Sequence, residues 1–234
     1  MTHPIAGICI PDSLLAREAT ELVRDTETDL LFHHSRRVFL FGALAGERRL
    51  LSFDVEMLYI GAMFHDMGLM PAYSSATERF EVDGANAARD FLTRHEIADA
   101  QIDQVWDAIA LHTTPGIPKH KKPIVALVTA GVEMDVLGID FDAFTEQQRA
   151  DVVAAHPRGV GFKEGIIDAF AKGTMHKPES TFGNVKADVL ALKDPTYKRL
   201  NFCGLILNSA WNDACGSAKC RMHPYPAAGA GKAF

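Results

Sequence analysis

Tyr59–Leu69 reads YIGAMFHDMGL, an apolar run broken near its end by an adjacent histidine and aspartate, His65-Asp66. Up to Met63 the stretch has the composition of a buried helix. An imidazole and a carboxylate side by side at the inner end of such a helix are costly unless compensated, because isolated buried charge is heavily penalised. A bound cation is the simplest compensation. The question for the rest of the chain is whether other segments supply further ligands.

Working outward, the apolar periodicity predicts helices on both sides. Asp12-Ser13 offers caps for LLAREATELVRDT, and a second helix runs over about 28–46, containing LLFHHSRRVFLFGALAG. The helix of the opening stretch covers about 54–67. Others are predicted over 83–95, 101–112, 124–137, within FDAFTEQQRADVVAAH with Thr145 as cap, and over 200–211. From Pro157 to Leu200 the glycine and proline spacing gives no regular element. No alternating strands, internal repeat, GxGxxG or phosphate-loop pattern occurs, so the fold class is all-α, a single domain with a metal site between helices. Within it, 1–27 reads as a lead-in and first helix, 28–185 as the core, and 186–234 as a last helix and loose tail.

Composition bounds the function. The 234 residues are 47% hydrophobic, enough for a sizeable core, and carry a net charge of −6. That balance argues against nucleic acid or an anionic membrane as partner. No apolar run is long enough to span a bilayer, the N-terminus lacks the pattern of a secretory signal, and four cysteines fit reduced thiols in a cytoplasm. A small-molecule substrate is the expected partner. The apolar run FCGLILNSAW (202–211) suits either core or the interface of a homo-oligomer.

Four predicted helices each bring a polar residue onto an apolar stripe. Leu30, Leu31, His34, Val38 and Phe41 share one face at helical period, with His33 about a hundred degrees away near Arg36 and Arg37. Val55, Leu58, Tyr59, Ala62, His65, Asp66 and Leu69 form the next stripe. Ile102, Val105, Trp106, Ile109 and His112 form the third, and Ile124, Val128, Val132 and Asp135 the fourth. One inward histidine or aspartate is ordinarily a hydrogen-bonded core residue. Four helices with such residues favour a shared metal. Imidazole with carboxylate suits zinc, iron or manganese, and such a set leaves a position open for water or substrate.

The order His34, His65-Asp66, Asp135 resembles the H…HD…D signature of the HD-domain superfamily of metal-dependent hydrolases. HHSRRVFLFG (33–42), FHDMGL (64–69), FEVDGANAARDFL (80–92), ALHTTPGI (110–117) and the KP of HKPESTFGN (176–184) are similar to its cyanamide hydratase-like branch. The resemblance spans about 28–185. HD phosphodiesterases with two metals carry extra histidines between the HD pair and the last aspartate, where this chain has only His112 as a good candidate and offers Glu81 and Asp83 instead. One divalent metal, zinc by resemblance, is therefore expected, held by His34, His65, Asp66 and Asp135. Its hydroxide would add to a small nitrile-like substrate, cyanamide giving urea. Asp66 would also accept the water's proton, and His112 would serve as general acid or orient the substrate. Thr113 and Lys177 are the substrate-binding candidates, with His176-Lys177-Pro178 as a lid or a plain turn.

Two rival readings share the fold. A phosphohydrolase would need cations for phosphate, for which Arg36, Arg37, Lys163 and Lys177 are candidates, although solvated helix faces explain them as simply. A degenerate regulatory module would be expected to have lost the buried His and Asp residues. Cys215, Cys220 and His223, with Cys203 upstream, have a spacing too loose for a second zinc site, and free thiols are the plainer expectation.

Overall fold

A computed structural model describes residues 3–181 and 185–212. Among them are ten α-helices joined by short 3-10 turns, with no strand. None of these helices is long and apolar enough to cross a membrane. Ser13 caps α1 (Leu14–Thr26) by accepting from the Ala16 amide, and Thr28 does the same for α2 (Asp29–Arg48) through Leu31. Asp54 caps α3 (Val55–Phe64), whose residues from Met57 onward are all buried. Side chains of that size contribute about 1.5–3 kcal/mol each on burial, which explains a helix with no polar face.

α3 is shorter than its apolar run predicts. It stops at Phe64, and Asp66 takes φ −103°, ψ 1° before a 3-10 turn at Met67–Leu69. The cause lies across the turn. A Cβ on Gly68 would stand 2.0 Å from the Phe80 carbonyl, so α4 (Phe80–Arg94) starts hard against this backbone, three residues earlier than its sequence suggests. α5 (Asp99–Ala110) and α6 (Pro123–Val132) follow, the latter with proline in its first turn. The segment predicted as its last turn, Glu133–Leu137, widens into a π-helical turn and ends on Gly138 at φ +67°. α7 (Glu146–Ala155) opens with the reciprocal Thr145–Gln148 capping box.

The irregular reading of 157–200 is corrected by α8 (Phe162–Thr174) and α9 (Val185–Lys193). Gly165 and Gly173, which give α8 the look of a loop, are where it lies on Leu30 and Leu69. The last predicted helix contracts to α10 (Phe202–Leu207).

α2, α3, α5 and α6 form the main core, joined by α1 and α4. α2 and α6 approach closely, and a Cβ on Gly131 would fall 2.1 Å from the Val38 carbonyl. A second apolar cluster of Leu31, Leu69, Phe80, Phe162, Ile166 and Ile206 lies beside the first. The His and Asp residues singled out above sit at the seam between the two.

Candidate metal centre

Four of the expected residues converge there, all buried: His34 from α2, His65 and Asp66 from the end of α3, and His112 just past α5. The two apolar layers close over them. Phe162 packs 6.0 Å from the His34 ring and Phe80 5.6 Å from that of His112.

Hydrogen bonds fix the tautomers. His65 Nδ1 is 2.7 Å from the Ala62 carbonyl, and His112 Nδ1 is 2.7 Å from the Ile109 carbonyl. A carbonyl only accepts, so both Nδ1 atoms carry the proton. His34 Nδ1 is 2.7 Å from Asp135 Oδ2 and donates to it. Each ring therefore turns its Nε2 inward, an unprotonated acceptor whenever the ring is neutral. His34 Nε2 and His65 Nε2 face one another at 3.1 Å, with Asp66 Oδ2 at 3.7 and 3.3 Å from them. His112 Nε2 lies 3.8 Å from Asp66 Oδ1. Both Asp66 oxygens and His112 Nε2 are buried without a hydrogen-bond partner.

Such a cluster of lone pairs repels itself unless a cation enters it. Ligand atoms of His34, His65 and Asp66 lie within 4.8 Å of one another, and these three could hold a divalent metal. The donor set, imidazole with a hard carboxylate, fits such an ion.

The electrostatics agree. Burial alone would raise the Asp66 carboxyl, but His65 and His34 hold it well below the ordinary carboxylate range. Burial pushes His34 down, against the pull of Asp135. It also pushes down His65, where the Asp66 carboxylate more than offsets it and leaves that imidazole raised. His112 is driven to about 4, first by burial and then by His65, so its imidazole is neutral at pH 7.

Asp135 stands one layer further out, in the π-helical turn. Its Oδ1 accepts from Arg37 Nε (2.8 Å) and Arg158 Nη1 (2.9 Å). Its Oδ2 accepts from Arg37 Nη2 (2.9 Å) and His34 Nδ1. Arg37 also donates to the carbonyls of His156 and Pro157. Against its burial, Arg37 and Arg158 hold Asp135 far below the usual range. Arg37, expected on a solvated face, is instead fully buried.

Of the expected substrate-binding residues, Thr113 donates to Glu81, which also accepts from Arg79 at 3.0 Å. The Lys177 ammonium is buried and pairs with Asp83 at 2.6 Å, while Asp83 also caps the Ser75 amide. His176 reaches Ser74 at 3.2 Å, so the 176–178 segment is tied to the loop before α4.

Residues 31–142 match the family model of the HD domain. That stretch is similar to HD domains. A search among curated proteins gives no match. HD domains belong to a superfamily of metal-dependent hydrolases, and the matched segment contains all four converging residues and Asp135. Several partners of the site lie outside it. Arg158 follows α7 and Lys177 follows α8.

Glu27, at the end of α1, buries a carboxyl that accepts from Ser35 at 3.3 Å. Burial, with the nearby Asp66 charge, lifts it well above the carboxylate range. Sequence reasoning missed Glu27 and Arg158. For Arg158 a signal existed, an arginine in the glycine-rich stretch PRGVGF, but its partner is 23 residues away. The Cys215, Cys220 and His223 reading lies outside the described residues. Cys9 is an exposed free thiol and Cys203 a half-buried one.

Proposed function

We propose that the protein is a metal-dependent hydratase that adds water to a small nitrile-like molecule, cyanamide giving urea being the leading candidate reaction. The observation that carries metal dependence is the set of inward-facing atoms at the seam: two Nε2 atoms 3.1 Å apart and two Asp66 oxygens without a hydrogen-bond partner. His34, His65 and Asp66 would hold the ion, with zinc the first choice. When bound, the ion supplies a Lewis acid that makes water acidic near neutral pH.

The residues then divide the work. Asp66 has an oxygen to spare beyond ligation and lies next to His112 Nε2. That Nε2 is an unprotonated acceptor, so His112 first takes a proton from the attacking water and then returns it to the nitrile nitrogen. An oxygen–carbon bond forms, one π bond of C≡N breaks, and the protons of water finish on nitrogen and oxygen before tautomerising to the amide. Glu81 holds the Thr113 hydroxyl beside His112, which positions the loop that follows α5.

Two observations support a small uncharged substrate over a phosphate ester. The cluster is enclosed, with His65 and Asp66 at 0% exposure. The cations that would grip phosphate are already engaged: Arg36 by Tyr59 and His156, Arg37 by Asp135, Lys163 by backbone carbonyls and Lys177 by Asp83.

The test is metal analysis of purified protein together with urea release from cyanamide, run beside a panel of phosphate esters. Bound metal with metal-dependent urea release is expected, and His65→Ala should lose both. Turnover confined to phosphate esters, or urea release that survives His65→Ala, would sink this reading.

A further inference from the structure

Of the two aspartates expected as ligands, only Asp66 has oxygens to give. A carboxylate offers about four lone-pair sites. Asp135 has filled all four, two with Arg37, one with Arg158 and one with His34. Its side chain is 0% exposed, so no water competes for those sites. To reach the ion, Asp135 would have to surrender buried bonds to two guanidinium groups and leave the His34 Nδ1 proton without an acceptor. Breaking a buried charge pair of this kind is costly. The backbone adds to the restraint, since Arg158 Nη1 also donates to the Asp135 carbonyl at 2.6 Å.

We infer that Asp135 is a positioning residue rather than a metal ligand: gripped by Arg37 and Arg158, it accepts His34 Nδ1–H and so aims His34 Nε2 into the site. A carboxylate behind a ligating imidazole fixes its tautomer and ring orientation and increases its basicity. Arg158 lies beyond the HD segment and Arg37 is fastened to the carbonyls of 156 and 157, so the turn after α7 shares in holding the ligand. The inference rests on the proposed metal site and concerns which residues make its first contacts.

The decisive measurement uses the intact chain labelled with 15N-histidine, first metal-free and then loaded with zinc. His34 should keep an exchange-protected Nδ1 proton before and after zinc is added, its signal identified by its absence from His34→Ala. Loss of that proton on zinc loading would overturn the inference, because Asp135 would have left the imidazole for the ion. Zinc titration gives the second readout. Asp135→Asn keeps an acceptor for Nδ1–H, so it should still bind one equivalent, with affinity reduced about 10–100-fold. Binding lost as completely as in His65→Ala, with far-UV dichroism showing a folded variant, would also overturn it. If Asp135→Asn does not fold, the wild-type proton decides. A wild-type chain that takes up no zinc or other divalent ion would sink the proposed function itself, a different result from zinc binding with a lost proton.

Discussion

Asp66 and Asp135 are both aspartates at 0% exposure, both close to His34, and both far more acidic than a free carboxylate. Their surroundings are opposite. Asp135 accepts from two arginines and a histidine, while neither oxygen of Asp66 finds a donor among the described residues. A buried carboxylate has two ways to be tolerated: a counter-charge from the chain, or one from outside. The first makes a brace. The second leaves a place for an ion.

The largest expected effect follows from breaking that difference at Asp66. Asp66→Asn should abolish metal uptake and urea release while costing the metal-free protein little stability, because the charge it removes is balanced by the neighbouring imidazoles of His65 and His34 and not by arginines. Urea unfolding after chelation checks this; a loss as large as that at Asp135 would mean the chain grips both carboxylates alike. Asp135→Leu should act mainly on the fold. It strands two buried guanidinium groups and should cost about 3–5 kcal/mol, read as a lower denaturation midpoint at unchanged slope. Equal effects of the two substitutions would erase the contrast.

Gly131→Ala tests the framework behind the brace. Its Cβ would press on the Val38 carbonyl, so α2 and α6 must part, and His34 moves relative to Asp135. A loss of about 1–3 kcal/mol is expected, with weakened zinc binding in titration. Gly116→Ala, which meets nothing within 4 Å, is the control for added bulk, although its φ of +81° brings some strain of its own.

The smallest effect concerns His156, which sits among Arg36, His33 and Arg37. Burial and then Arg36 hold its imidazole down to about 3 against 6.5 when free. The unfolded chain thus takes a proton on this residue below about 6.5 while the folded one refuses it until about 3. Stability is complete above 6.5, falls as pH drops through that window, and levels below it. His156→Gln should flatten this part of the acid limb in thermal melts, a change of about 2–4 °C per kcal/mol for a chain of this size. A limb of unchanged slope would show that His156 titrates normally.

Much of this arrangement is legible in the sequence. Helical period alone puts His34, His65-Asp66, His112 and Asp135 on inward faces, because apolar neighbours three and four residues away define a buried stripe. What it cannot show is who pairs with whom. Arg37 and Lys177 look like solvated cations because burial of a charge depends on partners 98 and 94 residues away. Nor can it separate the two aspartates, since both sit at the inner end of an apolar helix. α8 is hidden for a related reason: its glycines lower local helix propensity, and only contact with Leu30 and Leu69 explains them.

The salt bridge from Arg158 bears on where the protein can be cut. A fragment ending at residue 142, where the HD match stops, would contain every atom proposed to touch the ion. It would nevertheless lack one arginine of the pair that restrains Asp135, the carbonyls that anchor the other, and Phe162, whose ring covers both guanidinium groups at 4.1 and 4.8 Å. Sequence similarity thus delimits the ligands, whereas the smallest piece able to keep them aligned reaches at least to α8.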